Sequence, residues 1–181
     1  MTKYLIDSNS LISPYRTFYQ FDLVPSFWKW FKEAFDESIY LVDKVRDELC
    51  HVKGDGDKDD LQLWIESHCL EKDKIIHPNR DTGALSEYAN ILNYIHTSPL
   101  YKQKSFDEWA TFEKADPWLI AIAKAHDYTI VTMEERNRNL NPSNPTSKEP
   151  RIPDVCDALG VNCINLYDLM HEKKCVIGCH S

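Results

Sequence analysis

Short, uninterrupted runs of aliphatic and β-branched residues recur along the chain. Such runs are typical of strands that are covered on both faces of a parallel sheet. We predict strands over residues 3–6, 39–42, 129–132 and 161–166. Ile75 and Ile76 form either a further short strand or an extended link. Because helical patterns alternate with these runs, the sequence predicts an α/β protein whose parallel sheet has helices on both faces.

The helical patterns place apolar residues three and four positions apart. They predict helices over residues 10–13, 27–35, 44–49, 61–66, 84–96, 105–115, 117–126, 153–159 and 167–172. The aromatic residues within 27–35 are interpreted as core rather than as a surface on which bases stack. Two segments with prolines lack this period: residues 14–26 are predicted to be an ordered connection, and residues 136–150 a loop.

The segment from residue 112 to residue 135 combines a helix, a turn and a buried strand, with an acid at each change of direction. Proline favours the first position of a helix, so Pro117 is expected to begin the helix and Asp116 to cap it. Glu134 follows the strand at its carboxyl end. Ligands collect at the carboxyl ends of parallel strands, which makes Asp116 and Glu134 candidates for one shared site.

The composition narrows the class of protein. The 181 residues are enough for one domain with a substantial core, and 43% of them are hydrophobic. No run reaches the length of a membrane span and the N-terminus lacks a signal peptide, so we expect a cytoplasmic protein with no membrane partner.

The six cysteines are then expected to be free thiols. The net charge of −8 argues against tight nonspecific binding of nucleic acid, but not against a nuclease whose carboxylates bind metal ions.

Two local patterns match metal sites only in part. Cys175, Cys179 and His180 offer zinc ligands without CxxC spacing, so a tail with incidental thiols is favoured. Farther upstream, four acids match ligand positions of a calcium loop: Asp55, Asp57, Asp59 and Glu66. Asp60 stands where that loop demands glycine, so a solvated acidic turn that caps the following helix is favoured.

Four carboxylates follow strands or begin helices, at positions that bring them to the same edge of a parallel sheet. They are Asp7, Glu48, Asp116 and Glu134. Each also has a simpler explanation, because an acid at the start of a helix caps it or stabilises its dipole. Unpaired carboxylates raise one another's pKa, and Mg²⁺ or Mn²⁺, which prefer oxygen ligands, relieve that repulsion. With no strong Ser–His or Cys–His pairing signal, this chemistry fits metal-dependent hydrolysis of phosphodiesters.

The chain resembles the PIN-domain ribonuclease superfamily in four motifs that occur in order. The motifs are residues 4–9 (Tyr-Leu-Ile-Asp-Ser-Asn), 45–49 (Val-Arg-Asp-Glu-Leu), 115–121 (Ala-Asp-Pro-Trp-Leu-Ile-Ala) and 130–134 (Ile-Val-Thr-Met-Glu). Residues 25–28 and 152–156 further resemble a PIN-like subgroup described only as a domain of unknown function. The resemblance extends over nearly the whole chain.

This resemblance implies a single PIN-like domain over residues 1–181, folded as a three-layer α/β/α sandwich. It implies a pocket that holds Mg²⁺ or Mn²⁺ and cleaves single-stranded RNA, where water on the metal attacks phosphorus and leaves a 5′-phosphate. The metal ligands and catalytic residues would be Asp7, Glu48, Asp116 and Glu134. Many small bacterial members are toxins of toxin–antitoxin pairs, so an antitoxin protein and a homodimer are expected as partners.

The resemblance also implies supporting hydrogen bonds from Asn9 and Thr132. The chain departs from the superfamily at the fourth acid, which is usually Asp and is Glu134 here. Glu135 is an alternative for that place. Asp154 is a further candidate, or simply an acid in the first turn of a helix.

Other classes of protein share some of these features. A receiver domain or a phosphatase of the haloacid dehalogenase type also carries Asp after its first strand. The phosphatase needs a second Asp where this chain has Asn9, and the receiver needs paired acids and a late Lys that we do not find. A PIN scaffold without catalysis would instead be a module that binds nucleic acid or protein, which the acidic net charge allows.

On the nuclease hypothesis, basic side chains near the acids are candidates to guide the RNA backbone. They are Lys44, Arg46, Arg136 and Arg138. Ordinary surface charge explains each of them singly.

Overall fold

A computed structural model describes residues 2–51 and 57–178. In this part of the chain, five strands form one sheet: β1 (Tyr4–Ile6), β2 (Ile39–Val42), β3 (Ile75–Ile76), β4 (Thr129–Val131) and β5 (Cys163–Ile164). They lie in the order β3-β2-β1-β4-β5, and every neighbouring pair is parallel. The predicted parallel sheet is confirmed, and residues 75 and 76 are a strand rather than a link.

Helices connect and cover these strands within the described residues. They are α1 (Asn9–Arg16), α2 (Pro25–Ser38), α3 (Asp43–Leu49), α4 (Asp60–His68), α5 (Thr82–Thr97), α6 (Gln103–Trp109), α7 (Ala115–His126), α8 (Ile152–Leu159) and α9 (Leu166–Glu172). The protein is a three-layer α/β/α sandwich, as predicted. The chain grows outward from β1 to β3 and then returns to β4 and β5, so the sheet reverses its order between β1 and β4.

The core lies between the sheet and the inner faces of its helices. Helix α2 contributes three phenylalanines that have no exposed surface, Phe27, Phe31 and Phe35. Each side chain of this size stabilises the fold by about 1.5–3 kcal/mol when fully buried. The aromatic residues of α2 are therefore core, as predicted. Helix α5 packs along α7, which leads directly into β4.

Helix α6 ends at Trp109, although the sequence pattern predicted a helix as far as residue 115. Phe112 lies in the turn that follows, where its carbonyl accepts a hydrogen bond of 3.0 Å from the indole N–H of Trp118. The two rings also meet edge to face, with centroids 5.6 Å apart. Phe112 thus makes tertiary contacts that compete with continuation of the helix, and this part of the prediction was wrong.

Helix α1 continues through Pro14 to Arg16, whereas the segment from residue 14 had been predicted as a connection. A proline this late in a short helix removes one backbone hydrogen bond, the one to the carbonyl of Ser10. The side chain of Pro14 is buried, so packing offsets that loss.

Asp116 does not cap α7, contrary to the sequence prediction. The helix begins two residues before the predicted start, at Ala115, and Lys114 occupies the N-cap position without a side-chain hydrogen bond. Asp116 is the second helical residue, and its carboxylate forms an ion pair with Lys114 instead.

The acidic turn before α4 caps that helix, as predicted. The Asp59 carboxylate accepts a hydrogen bond of 2.8 Å from the backbone N–H of Gln62. Glu66, the last ligand of the calcium template, forms an ion pair with Lys58. Asp55 lies outside the described residues, as do Cys179 and His180 of the zinc pattern.

The cysteines and the helices of the described residues agree with two further expectations. Free thiols are found at Cys50, Cys69, Cys156, Cys163 and Cys175. None of the helices within residues 2–51 and 57–178 combines the length and the apolar character that crossing a bilayer requires.

Asp81 joins the start of α5 to the end of α7. One carboxylate oxygen accepts the N–H of Ala84 at 2.8 Å, and the other lies 2.7 Å from Nε2 of His126. We expect Asp81→Ala to lower the free energy of unfolding by about 1 kcal/mol, because it removes this helix cap. Asp81→Asn should change it much less, because asparagine also caps and the ion pair is partly exposed. Urea denaturation measures both, and equal losses in the two variants would contradict a capping role.

Candidate active site

The sheet reverses its order between β1 and β4, and in open α/β sheets such a reversal is where ligands bind. Asp7 leaves the end of β1 at this point, and its backbone N–H donates to the carbonyl of Val131 at 2.9 Å. Thr132 leaves the end of β4, and its hydroxyl donates to Oδ2 of Asp7 at 2.8 Å. The same hydroxyl accepts the backbone N–H of Glu134 at 3.1 Å. Thr132 therefore orients the buried Asp7 carboxylate and the backbone at Glu134 together.

Glu48 reaches the site from α3, which follows β2. The hydroxyl of Ser8 donates to Oε2 of Glu48 at 2.8 Å. Although Glu48 as a residue is exposed, loss of hydration around its carboxyl group raises its pKa, and the hydrogen bond from Ser8 works against that rise. Since Ser8 follows Asp7 directly, the segment after β1 carries one of the four acids, Asp7, and contacts a second, Glu48.

Asp116 lies in the first turn of α7 and is only 8% exposed. Nζ of Lys114 lies 3.3 Å from Oδ2 of Asp116 and 3.0 Å from Oε2 of Glu149. Burial raises the pKa of Asp116, while the ammonium of Lys114 opposes the rise. Burial would lower the pKa of Lys114, but the charges of Asp116 and Glu149 outweigh it and raise that pKa. Lys114 is thus a resident cation between two carboxylates.

Glu134 follows β4 and also contacts α8. Its Oε2 accepts the backbone N–H of Ile152, the first residue of α8, at 2.8 Å. Burial raises the pKa of Glu134, against the effect of this hydrogen bond. The carboxylate of Glu134 is therefore engaged with the start of a helix.

The four acids share one electrostatic environment. The pKa of Asp7 rises from 3.8 to about 7, first because the group is buried and next because the Asp116 carboxylate repels its charge. Glu134 and Glu48 add smaller effects in the same direction. The charge of Asp116 also raises the pKa values of Glu48 and Glu134, and that of Lys114 lowers them. The four acids are thus close enough for their charges to act on one another, and their joint role in one site stays a prediction.

The four acids have the donor chemistry of a magnesium or manganese site. They offer carboxylate oxygens, which these ions prefer, and negative charge that Lys114 offsets only in part. As they stand, no three His, Cys, Asp or Glu side chains in the described ranges are arranged to hold a metal ion. Instead, each acid has one carboxylate oxygen in contact with another residue of the chain: Thr132, Ser8, Lys114 and Ile152 contact Asp7, Glu48, Asp116 and Glu134, respectively. A divalent cation would have to compete with Lys114 for Asp116.

One of the two predicted supporting roles differs in the structure. Asn9 is exposed, and no hydrogen bond of its side chain occurs in the part of the chain that the structure describes. Ser8, beside it, holds Glu48 instead. Thr132 makes the predicted hydrogen bond to Asp7. No sequence feature singles out Ser8, because a serine between an acid and a helix start is also an ordinary N-cap.

The two alternative acids have other contacts. Glu135 is exposed, and its backbone carbonyl accepts a hydrogen bond from Arg151 at 2.7 Å. Both carboxylate oxygens of Asp154 accept the backbone N–H of Asn137, each at 3.1 Å. Asp154 thus holds the start of the loop that follows β4, which favours a structural role.

The four basic residues named from the sequence are not equivalent. Lys44 lies over the ring of Phe112, with Nζ 4.4 Å from its centroid. Arg46 pairs with its neighbour Asp47. Arg136 pairs with Asp157 through two hydrogen bonds. Arg138 is exposed and forms no ion pair with any residue that the structure describes.

Comparison with known proteins identifies a family whose description names no activity. A family model described as "Domain of unknown function (DUF4411)" matches residues 4–177. Because this match covers nearly the whole chain, the protein belongs to that family. A search of the curated proteins found no match.

Proposed function

We propose that the protein is a Mg²⁺- or Mn²⁺-dependent endoribonuclease of the PIN type that cuts single-stranded RNA. The observation that carries the proposal is the convergence of Asp7, Glu48, Asp116 and Glu134 where the sheet reverses, with the pKa of Asp7 raised to about 7. Lys114 pairs with Asp116 alone among the four carboxylates, so the nearby positive charge offsets their mutual repulsion only in part. A divalent ion relieves this repulsion, and its usual ligands are such oxygens.

Within this proposal, the residues of the chain have distinct roles. Asp7 and Asp116, the two buried acids, hold the ion, while Glu48 and Glu134 complete its surroundings. Thr132 keeps the Asp7 carboxylate in one orientation through its hydrogen bond of 2.8 Å. When bound, the ion supplies positive charge that polarises a phosphate and lowers the pKa of water.

Lys114 adds a second positive charge to the proposed site. If Asp116 were a metal ligand, Lys114 would still have its ion pair with Glu149, which would keep its positive charge beside the site. A cation in that position favours approach of the phosphate backbone, because charge attraction dominates such contacts.

The proposed biological role is that of a toxin in a toxin–antitoxin pair, active in the cytoplasm, silenced by an antitoxin protein and homodimeric. Its support is the resemblance of residues 4–9 and 115–121 to PIN motifs, together with the position of their acids in one site. The family match names no activity, so these partners stay part of the proposal.

A second candidate function is a PIN scaffold that binds nucleic acid or protein without catalysis. The ion pair between Lys114 and Asp116, at 3.3 Å, favours it, because a lysine can replace a metal ion as the neutralising charge. On this alternative, binding is independent of divalent ions and survives Asp116→Asn.

Cleavage of a mixed single-stranded RNA tests the proposal directly. We expect wild type to cut the RNA with Mn²⁺ or Mg²⁺ and not with a chelator, and Asp116→Asn to lose this activity. Asp22→Asn is the matched control, because Asp22 is an exposed acid with no ion pair in the described chain, and it should cut like wild type.

Three other results would speak against the proposal. Equal cutting by wild type and Asp116→Asn would indicate a contaminating nuclease. Cutting that persists in chelator would exclude a metal-dependent reaction. The absence of both cutting and metal binding, the latter measured by calorimetry with Mn²⁺, would favour the non-catalytic module.

A further inference from the structure

A cavity of about 460 Å³ opens beside the acid site, at the carboxyl ends of β4 and β5. Glu134 forms part of its wall, so the cavity and the candidate metal site share a side chain. Its other walls include Met133, Arg138, Asn165 and Tyr167. Cavities of about 300–1,000 Å³ are typical of sites for small ligands.

Arg138 brings a cation without a partner to this cavity, on an anchored piece of backbone. Asn137 donates its N–H to both oxygens of Asp154, and Arg136 pairs with Asp157 through two hydrogen bonds. These contacts fix the backbone on the N-terminal side of Arg138. The guanidinium of Arg138 forms neither an ion pair nor a hydrogen bond with the described residues. It is therefore available to a phosphate.

Tyr167 brings an available aromatic ring to the same cavity. The residue is 43% exposed, and its ring stacks on no other aromatic ring of the described chain. Nearby, Oδ1 of Asn165 accepts the N–H of Asp168 at 2.9 Å, which leaves the amide NH₂ group of Asn165 to donate elsewhere. An aromatic face, an amide donor and a guanidinium are the groups that recognise a base and its phosphate.

We propose that this cavity binds one nucleotide, with its base on Tyr167 and its phosphate at Arg138. The inference rests on the proposed function and deepens it, because the bound nucleotide would be part of a single-stranded RNA and would lie next to the acid site. Three carboxylates that line the cavity, Glu134, Glu135 and Asp168, oppose an anion here, so a divalent cation at the acid site would strengthen binding. A free 5′-nucleotide has the same chemistry as a nucleotide within RNA, and the test separates the two.

Binding is measured in chelator, where the proposed nuclease cannot cut RNA. Calorimetry compares 5′-AMP with inorganic phosphate, and a fluorescent RNA of eight nucleotides is titrated in the same buffer. We expect 5′-AMP to bind more tightly than phosphate and the RNA more tightly than 5′-AMP. Arg138→Gln should weaken binding of all three ligands about tenfold and lower the salt dependence of RNA binding by about one phosphate contact.

The variants of Tyr167 separate stacking from charge. Tyr167→Ala should weaken binding of 5′-AMP and RNA about tenfold and leave phosphate unchanged, because stacking on an aromatic ring needs a base. Tyr167→Phe, which keeps the ring, should bind like wild type. Arg80→Gln is the matched charge control, because Arg80 is exposed beyond β3, at the opposite edge of the sheet.

The outcomes for the cavity and for the nuclease are distinguishable. Binding that follows this pattern in a protein that cuts no RNA would support the cavity and overturn the proposed function. RNA cleavage with the same KM in wild type, Arg138→Gln and Tyr167→Ala would leave the nuclease standing and overturn the cavity. Phosphate binding as tight as 5′-AMP binding would reduce the site to one for anions, and binding of 5′-AMP as tight as RNA would identify a free nucleotide as the ligand.

Discussion

Asp7→Asn is expected to stabilise the metal-free protein above neutral pH while it removes cleavage of RNA. In the unfolded chain Asp7 loses its proton near pH 4, but in the folded protein its pKa is about 7. Between these values unfolding releases a proton, so the free energy of unfolding falls as pH rises, by about 1.4 kcal/mol per pH unit. Above pH 8, the raised pKa of Asp7 lowers the free energy of unfolding of the wild type by on the order of 4 kcal/mol. Asparagine carries no charge, so the variant avoids this loss.

The substitution keeps the local structure, because the amide oxygen of asparagine can accept the hydrogen bond from Thr132. Under the proposed function, however, it removes a charged ligand of the metal ion. We then expect cleavage to fall more than about 100-fold, because replacing even a residue that only hydrogen-bonds to a ligand commonly costs about 10- to 100-fold. The same residue would then destabilise the protein without metal and be required for its activity.

Urea denaturation in chelator between pH 5 and pH 8 measures this effect. The stability of Asp7→Asn should exceed that of wild type by an amount that grows as pH rises, while Asp22→Asn follows wild type. Mn²⁺ should then raise the Tm of wild type and leave that of Asp7→Asn unchanged. Parallel pH profiles for wild type and Asp7→Asn would show that Asp7 titrates normally in the folded protein.

Trp118→Ala is expected to lower the free energy of unfolding by about 4 kcal/mol, as is common when a large buried aromatic residue is truncated. Trp118 is 1% exposed and stacks on Tyr88 with ring centroids 3.8 Å apart. Its indole N–H also donates to the carbonyl of Phe112 at 3.0 Å. The variant therefore loses the contact between α5 and α7 and the hydrogen bond that holds the turn before α7.

Thermal and urea denaturation of three variants separate these contributions. Trp118→Phe keeps an aromatic ring and loses the N–H donor, so its loss of stability should be smaller than that of Trp118→Ala. Phe18→Ala serves as the control, because Phe18 is 74% exposed and its removal should change stability by less than about 0.5 kcal/mol. A loss below about 1 kcal/mol in Trp118→Ala would contradict tight packing of α5 on α7.

The strands were predictable from the sequence because burial on both faces demands consecutive apolar residues. β2 runs over the predicted residues 39–42, and β4 ends one residue before the predicted end. The end of α6 was not predictable in this way. The spacing of Phe106, Trp109 and Phe112 suits one helix face, but Phe112 contacts Trp118 across a turn, and such tertiary contacts override a local pattern.

The acids of the candidate site were predictable because their place in the chain fixes their place in a parallel sheet. Asp7 ends β1 and Glu134 follows β4, so the topology alone brings them together. The side chains that contact these acids were not predictable from the sequence. Lys114 meets Glu149 from a loop without any apolar period, and nothing in the sequence announces a contact across 35 positions.

The order in which the site is made along the chain has a consequence for its synthesis. Asp7 is translated near the start, but β4, which pairs with β1, and Ile152, which holds Glu134, come far later. At about 5–20 residues per second, the ribosome takes roughly 7–30 s to travel from the first of these residues to the last. A nascent chain therefore keeps Asp7 and Glu134 apart during this interval. The candidate site is completed only after Ile152 has been translated, so its acids cannot act together before then.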